Sequence, residues 1–125
     1  MKKLLKLEEL AQLLLAVLVF AHLPYAWWVL PATFLLPDLS MLGYLAGPRV
    51  GARCYNLAHH KALAIAVGVS GWWLGSSLLL LAGTVLLLHS AFDRLLGYGL
   101  KYATGFHDTH LGPVGARLAG VQPIN

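Results

Sequence analysis

The chain alternates between long apolar runs and short polar clusters. Leu10 to Leu36 carries no Lys, Arg, Asp or Glu, and Ala62 to Leu88 carries no ionisable side chain at all. Roughly 20 apolar residues are needed to cross a bilayer at a rise of 1.5 Å each. Each run, folded back at a turn, therefore predicts parts of two spanning helices. The turn signals are Pro24 in "HLPYAWW", Gly47 and Pro48 in "AGPRVGA", and the glycines of "GWWLGSS". They predict helices over about 6–23, 26–46, 49–74 and 76–101. The remainder, 102–125, reads as a loop with one short helix after Pro113. Pro31 and Pro37 fall inside the second helix. Either they kink it into a partly unwound stretch facing the bundle, or the helix ends at Leu36 and "PDLS" caps a further short one. The pattern leaves both open.

Composition turns this pattern into a class. Hydrophobic residues make up 58% of the 125 and charged residues 11%, against about 25% charged in ordinary globular chains. Mean hydropathy is +0.70. A water-soluble fold of this size has no interior large enough to hide so much apolar surface. The expected fold is all-α: a single transmembrane domain, an integral membrane four-helix bundle with a cytoplasmic C-terminal loop. The one cysteine, Cys54, permits neither an intramolecular disulfide nor a thiolate metal site. The stretch "MKKLLKLEELAQLLLAVLVFA" has the outline of a signal peptide, but its glutamates and the lack of a small-residue cleavage site favour a retained first helix.

A net charge of +4 raises the question of nucleic acid. The basic residues are spread along lipid-like segments, so no nucleic-acid partner is expected, and their placement reads as topology. Lys2, Lys3 and Lys6 precede the first helix, Arg49 and Arg53 sit between the second and third, and Arg94, Lys101 and Arg117 lie at or beyond the end of the fourth. The other two turns hold no Lys or Arg, but they hold Trp27–Trp28 and Trp72–Trp73. The positive-inside rule and the aromatic belt agree: both termini are expected in the cytoplasm.

With that topology the polar residues gather in the cytoplasmic half. They are Asp38 on the second helix, Arg53, Asn56, His59 and His60 on the third, and His89, Asp93 and Arg94 on the fourth. Ionisable groups at membrane depth cost some 2.5–3.5 kcal/mol each, so they normally face the interior and have partners. His89 and Asp93 are four apart and share a helical face. His59 and His60 are adjacent and cannot face the same way. Imidazoles and carboxylates converging from several helices are how bundle-core metal sites are built. Nitrogen and oxygen donors without thiolate suit zinc, manganese or iron. "HDTH" adds Asp108 and His110 on the tail, placed to close such a site. A structural hydrogen-bonded network is the competing reading, since buried polar groups must be satisfied in any case.

The stretches "LPDLSMLGYLAGPRVGARCYNLAH", "H.AFDRLLGYGLKY" and "TGFHDTHLG" resemble the small bacterial membrane proteins catalogued as domain of unknown function 4260. The resemblance runs from the first helix to about Gly112. It implies a four-helix protein of the bacterial inner membrane and singles out Asp38, Tyr44, Tyr55, Asn56, His59, His89, Asp93, Arg94, Tyr98, Lys101, Asp108 and His110. It implies no reaction.

The expected function is a membrane-embedded, metal-dependent enzyme, most plausibly a hydrolase. Asp38, His59, His89, Asp93 and His110 are the candidate ligands of a divalent ion, and His89, Asp93 and Asp108 the candidate catalytic groups. Arg53, Arg94 and Lys101 suit an anionic lipid headgroup, with Tyr44, Tyr55 and Asn56 orienting the substrate. The alternative is a non-enzymatic proton-, cation- or lipid-binding protein whose network is structural. A pathway across the membrane fits poorly, because the opposite half offers only Ser70, Ser76, Ser77 and Thr84. Gly68, Gly71 and Gly75 permit close helix packing, against either another helix of this chain or a second copy, which leaves a homo-oligomer open.

Overall fold

The computed structural model describes residues 1–114, so the short helix expected after Pro113 and the tail charge Arg117 lie outside it. The described chain is all-helical. Its α-helices are α1 (Lys2–Ala21), α2 (Val29–Thr33), α3 (Pro48–Ala58), α4 (Lys61–Leu74) and α5 (Ser77–Leu96), with a 3-10 helix, Leu36–Ala46, between α2 and α3. Among the described residues there is no strand, only an isolated antiparallel bridge between Lys101 and Thr109.

The first and last turns fall where the sequence puts them. Helix α1 ends at Ala21, three residues before Pro24. Helix α4 stops at Gly75, whose φ of 66° is left-handed and open to glycine at no steric cost. Ser76 then caps α5, its hydroxyl accepting from the Leu79 N–H at 3.3 Å.

The second segment breaks at its prolines, as the sequence allowed, and the third departs from expectation. Residues 26–46 do not form one helix: α2 ends at Thr33, and the chain resumes as a 3-10 helix with Pro37 in its first turn. The proline ring disfavours α geometry before it. The Asp38 N–H then bonds to Leu35 at 3.1 Å, not to Phe34. Residues 49–74 also divide, because His60 is extended (φ −87°, ψ 116°) between α3 and α4. That break turns His59 fully inward and leaves His60 exposed. The last helix ends at Leu96 instead of 101. Gly97 is left-handed at φ 93°, and the Tyr98 N–H returns to the Asp93 carbonyl at 2.8 Å, a Schellman closure.

Helix α5 is the hub, flanked by α1 and α4. The backbones of α4 and α5 touch through glycine. A Cβ on Gly83 would stand 2.4 Å from the Gly68 nitrogen, and one on Gly71 would stand 2.4 Å from the Leu80 nitrogen. The small residues thus serve a helix of this chain. Helix α3 packs on the 3-10 helix with Gly51 against the Tyr44 ring. Glu9 pairs with Lys61 across α1 and α4. Tyr25 donates to Ser77 at 3.3 Å, which brings the two tryptophan turns to the same end.

Two segments, Val29–Ala46 and Ser77–Leu96, are long and apolar enough to cross a membrane. Many large apolar side chains point outward, among them Leu14, Leu18, Ile65, Val69, Trp72 and Trp73.

Candidate metal centre

Both breaks in the helices serve one point in the structure. The 3-10 helix carries Asp38, the α3–α4 break carries His59, and α5 carries His89 and Asp93. One ligand atom from each of the four lies within 4.8 Å of all the others. Asp38 Oδ1 is 3.3 Å from His59 Nε2 and 3.1 Å from His89 Nε2. Asp93 Oδ2 is 3.5 Å and 3.6 Å from the same two nitrogens. A tetrahedron with metal–ligand bonds of 2.0–2.1 Å has edges of roughly 3.3–3.4 Å. The four measured separations bracket that value.

The outer hydrogen bonds fix what the imidazoles present. His89 Nδ1 lies 2.6 Å from the Phe34 carbonyl, and His59 Nδ1 lies 2.8 Å from the Tyr55 carbonyl. A carbonyl only accepts, so each Nδ1 carries the proton and donates it. In the neutral ring Nε2 is then a bare lone pair. Two lone pairs and two carboxylate oxygens face one another, an arrangement that calls for a cation or a shared proton between them. Phe34 is free to accept because the 3-10 turn at Asp38 has released its carbonyl. Donation of the remote ring N–H is also how metal-bound histidines are commonly held.

Tyr55 supports both pairs. Its ring stacks on His59 with centroids 3.8 Å apart, and its hydroxyl donates to Asp93 Oδ2 at 3.1 Å. Behind it the tail folds back. Asn56 clamps the Lys101 backbone, with the Asn56 amide donating to the Lys101 carbonyl and the Lys101 N–H donating to Asn56 Oδ1, both at 2.7 Å. The Lys101 ammonium, 3.8 Å from the Phe106 ring centre and 4.6 Å from that of Tyr55, donates to the Phe106 carbonyl at 2.9 Å. Burial pulls its pKa below the usual lysine value, while the charges of Asp93 and Asp38 work the other way. The Asp38 side chain is 32% exposed, whereas His59 and His89 are at 0% and 2%. The centre opens on the Asp38 side.

All of these residues lie within the region, residues 2–114, that a family model matches. The chain belongs to the family described as Domain of unknown function (DUF4260). No curated protein and no solved structure matches it.

Within this DUF4260 chain, the four residues expected to converge from three helices do converge. The other expected site residues stand outside the group of four, Tyr55 in direct contact with it. His110 stands outside the four-residue group: its Nδ1 accepts the Leu100 N–H at 2.8 Å, which ties the tail to itself. Asp108 is exposed and likewise outside the group, its carbonyl accepting from the Tyr102 N–H. Arg53 is exposed. Arg94 donates to the carbonyls of Tyr98 at 2.7 Å and His59 at 3.4 Å, holding the end of α5 against the α3–α4 break. The Tyr44 hydroxyl is buried without a hydrogen-bond partner among the described residues, and its ring meets Phe106 edge-on. Tyr55, Asn56, Arg94 and Lys101 thus brace the centre from behind. Sequence reasoning overlooked the Phe34 carbonyl, for which Pro37 three residues later was the available signal.

Proposed function

We propose that this protein is a membrane-embedded, metal-dependent hydrolase working near the cytoplasmic leaflet. The observation that carries the reading is the facing of two Nε2 lone pairs and two carboxylate oxygens at 3.1–3.6 Å. Their Nδ1 protons are already committed to backbone carbonyls. Two imidazoles and two carboxylates suit zinc, manganese or iron. A divalent ion held there supplies a Lewis acid and brings the pKa of water towards about 7.

The protein's own residues would divide the remaining work. Asp93, fixed by the Tyr55 hydroxyl, is a positional anchor. Asp38 lies at the opening, where it meets incoming water and substrate and is placed to accept a proton. Exposed Arg53 favours an anionic headgroup, with Arg94 and Lys101, tied to backbone carbonyls, adding positive charge behind the centre. In this reading the helices form a four-span bundle with both termini in the cytoplasm. Two facts support that: the outward apolar side chains and the gathering of both tryptophan pairs at the end joined by Tyr25 and Ser77.

A non-enzymatic reading is favoured by one observation, the 3.1 Å separation of Asp38 and His89. That is also an ordinary hydrogen-bond length for a shared proton. Metal content by mass spectrometry on detergent-purified protein separates the two. Near-stoichiometric zinc, manganese or iron, lost in His59→Ala, His89→Ala and Asp93→Ala, supports the metal centre and calls for a screen of ester and phosphoester lipids. Folded wild-type protein that takes up none of the three metals sinks it.

A further inference from the structure

Beside the centre lies an apolar groove of about 430 Å³, a volume ordinary for a small-molecule site. Thr33, Pro37 and Ser40 line one side, and Leu81, Val85 and Leu86 the other. None of the four candidate ligands lines it, but one end lies next to two of them. Pro37 and Ala58 both line it, and each directly precedes a ligand, Asp38 and His59. Val85 stands one helical turn before His89.

The chemistry of the walls selects the occupant. The only hydroxyls in the lining are those of Thr33 and Ser40. Both hydrogens are spent inside the protein, on the carbonyls of Val29 and Pro37, each at 2.7 Å. A polar ligand would therefore find no free side-chain donor and would lose its hydration without return. A hydrocarbon loses nothing there and gains from burial. From Leu78 to Leu86 the α5 wall rises by eight residue steps, roughly 12 Å at 1.5 Å each.

We infer that this groove holds the hydrocarbon chain of an amphiphile whose polar group lies at the Asp38–His59–His89–Asp93 centre, so that the ligand acted on is a lipid. The position of the polar end rests on the metal-centre reading. The chain site stands on the groove itself.

The test uses a single-chain alcohol carrying a mid-chain diazirine, at low mole fraction in phosphatidylcholine nanodiscs containing the full protein. Irradiation is followed by peptide mapping, and metal content is measured on the same samples. Ala82→Phe fills the groove midway, and Leu78→Trp obstructs its outer end at an already exposed position, so a failure of one variant to fold leaves the other. Adducts concentrated on residues 78–86 are expected. Displacing two methylenes should lower their yield roughly tenfold in both variants, with metal content unchanged. Adducts spread evenly over outward faces such as Ile65 and Val69, and insensitive to both variants, overturn the inference. Groove adducts without metal sink the metal centre and leave the chain site standing. Metal without groove adducts does the reverse.

Discussion

His89 Nε2 lies 3.1 Å from Asp38 Oδ1, although 51 residues separate the two along the chain. One rides on an uninterrupted α-helix and the other on a 3-10 helix. Their meeting is therefore set by the packing of both on a common centre, with the other imidazole nitrogen of His89 tied 2.6 Å from Phe34.

Replacing that ring tests the centre most directly. In His89→Ala the centre keeps two carboxylates and one imidazole, too few nitrogen donors to hold zinc tightly. Metal content should fall from about one ion per chain to background after dialysis against a weak chelator, as expected when a ligand is removed. The check is elemental analysis beside circular dichroism. A folded variant that retains its metal excludes His89 as a ligand.

Pro37 acts at one remove. In Pro37→Ala the preceding backbone regains α geometry, and the Asp38 N–H can return to the Phe34 carbonyl that His89 now uses. No ligand atom changes, so the effect should have the size of a lost outer hydrogen bond, about 10- to 100-fold in metal affinity. Competition titration with a chromogenic chelator measures it. An unchanged affinity would show that the 3-10 turn has no part in setting the imidazole.

These two residues mark how far the sequence could be read. The four converging groups were legible because ionisable side chains in apolar runs must find one another, and because His89 and Asp93 stand one turn apart. Pro37 signalled the break at Leu35, though not that it frees the Phe34 carbonyl, and the break at His60 had no signal. An apolar run predicts a helix through His60, and the structure spends that interruption on turning His59 inward. Asp108 and His110 misled for a related reason. Their spacing suggested ligands, but in a glycine-flanked tail the nearest available partners are backbone groups of the same loop. Gly97 likewise ends α5 earlier than its apolar content suggests.

Tyr55→Phe isolates one hydrogen bond. The ring stack on His59 stays, and only the hydroxyl that donates to Asp93 at 3.1 Å is lost. Hydrogen bonds to charged groups contribute about 1.5–3 kcal/mol, so metal-free protein should lose stability on that scale. Bound metal should mask part of it by supplying Asp93 with another partner. Denaturation in mild detergent with and without metal gives both numbers. Equal loss in the two states would contradict a shared carboxylate.

Below neutrality the docked tail should loosen before the helices do. His110 accepts the Leu100 N–H through Nδ1 at 2.8 Å, with that edge of the ring close against Gly99. Burial, and then the positive charge of Arg94, hold its pKa below the ordinary imidazole value of 6.5. The unfolded tail therefore binds its proton at higher pH than the docked tail does. The contribution of His110 to docking is fully present above the ordinary value and is lost as pH falls through and below it. Protonation also converts Nδ1 from acceptor to donor, facing another donor. Hydrogen exchange at the Leu100 amide, corrected for intrinsic rate, should show protection that holds above the ordinary imidazole value of 6.5 and falls as pH drops below it. His110→Gln, which keeps an acceptor but does not titrate, should flatten that dependence. Protection that stays constant in the wild type would place the pH response of the tail elsewhere.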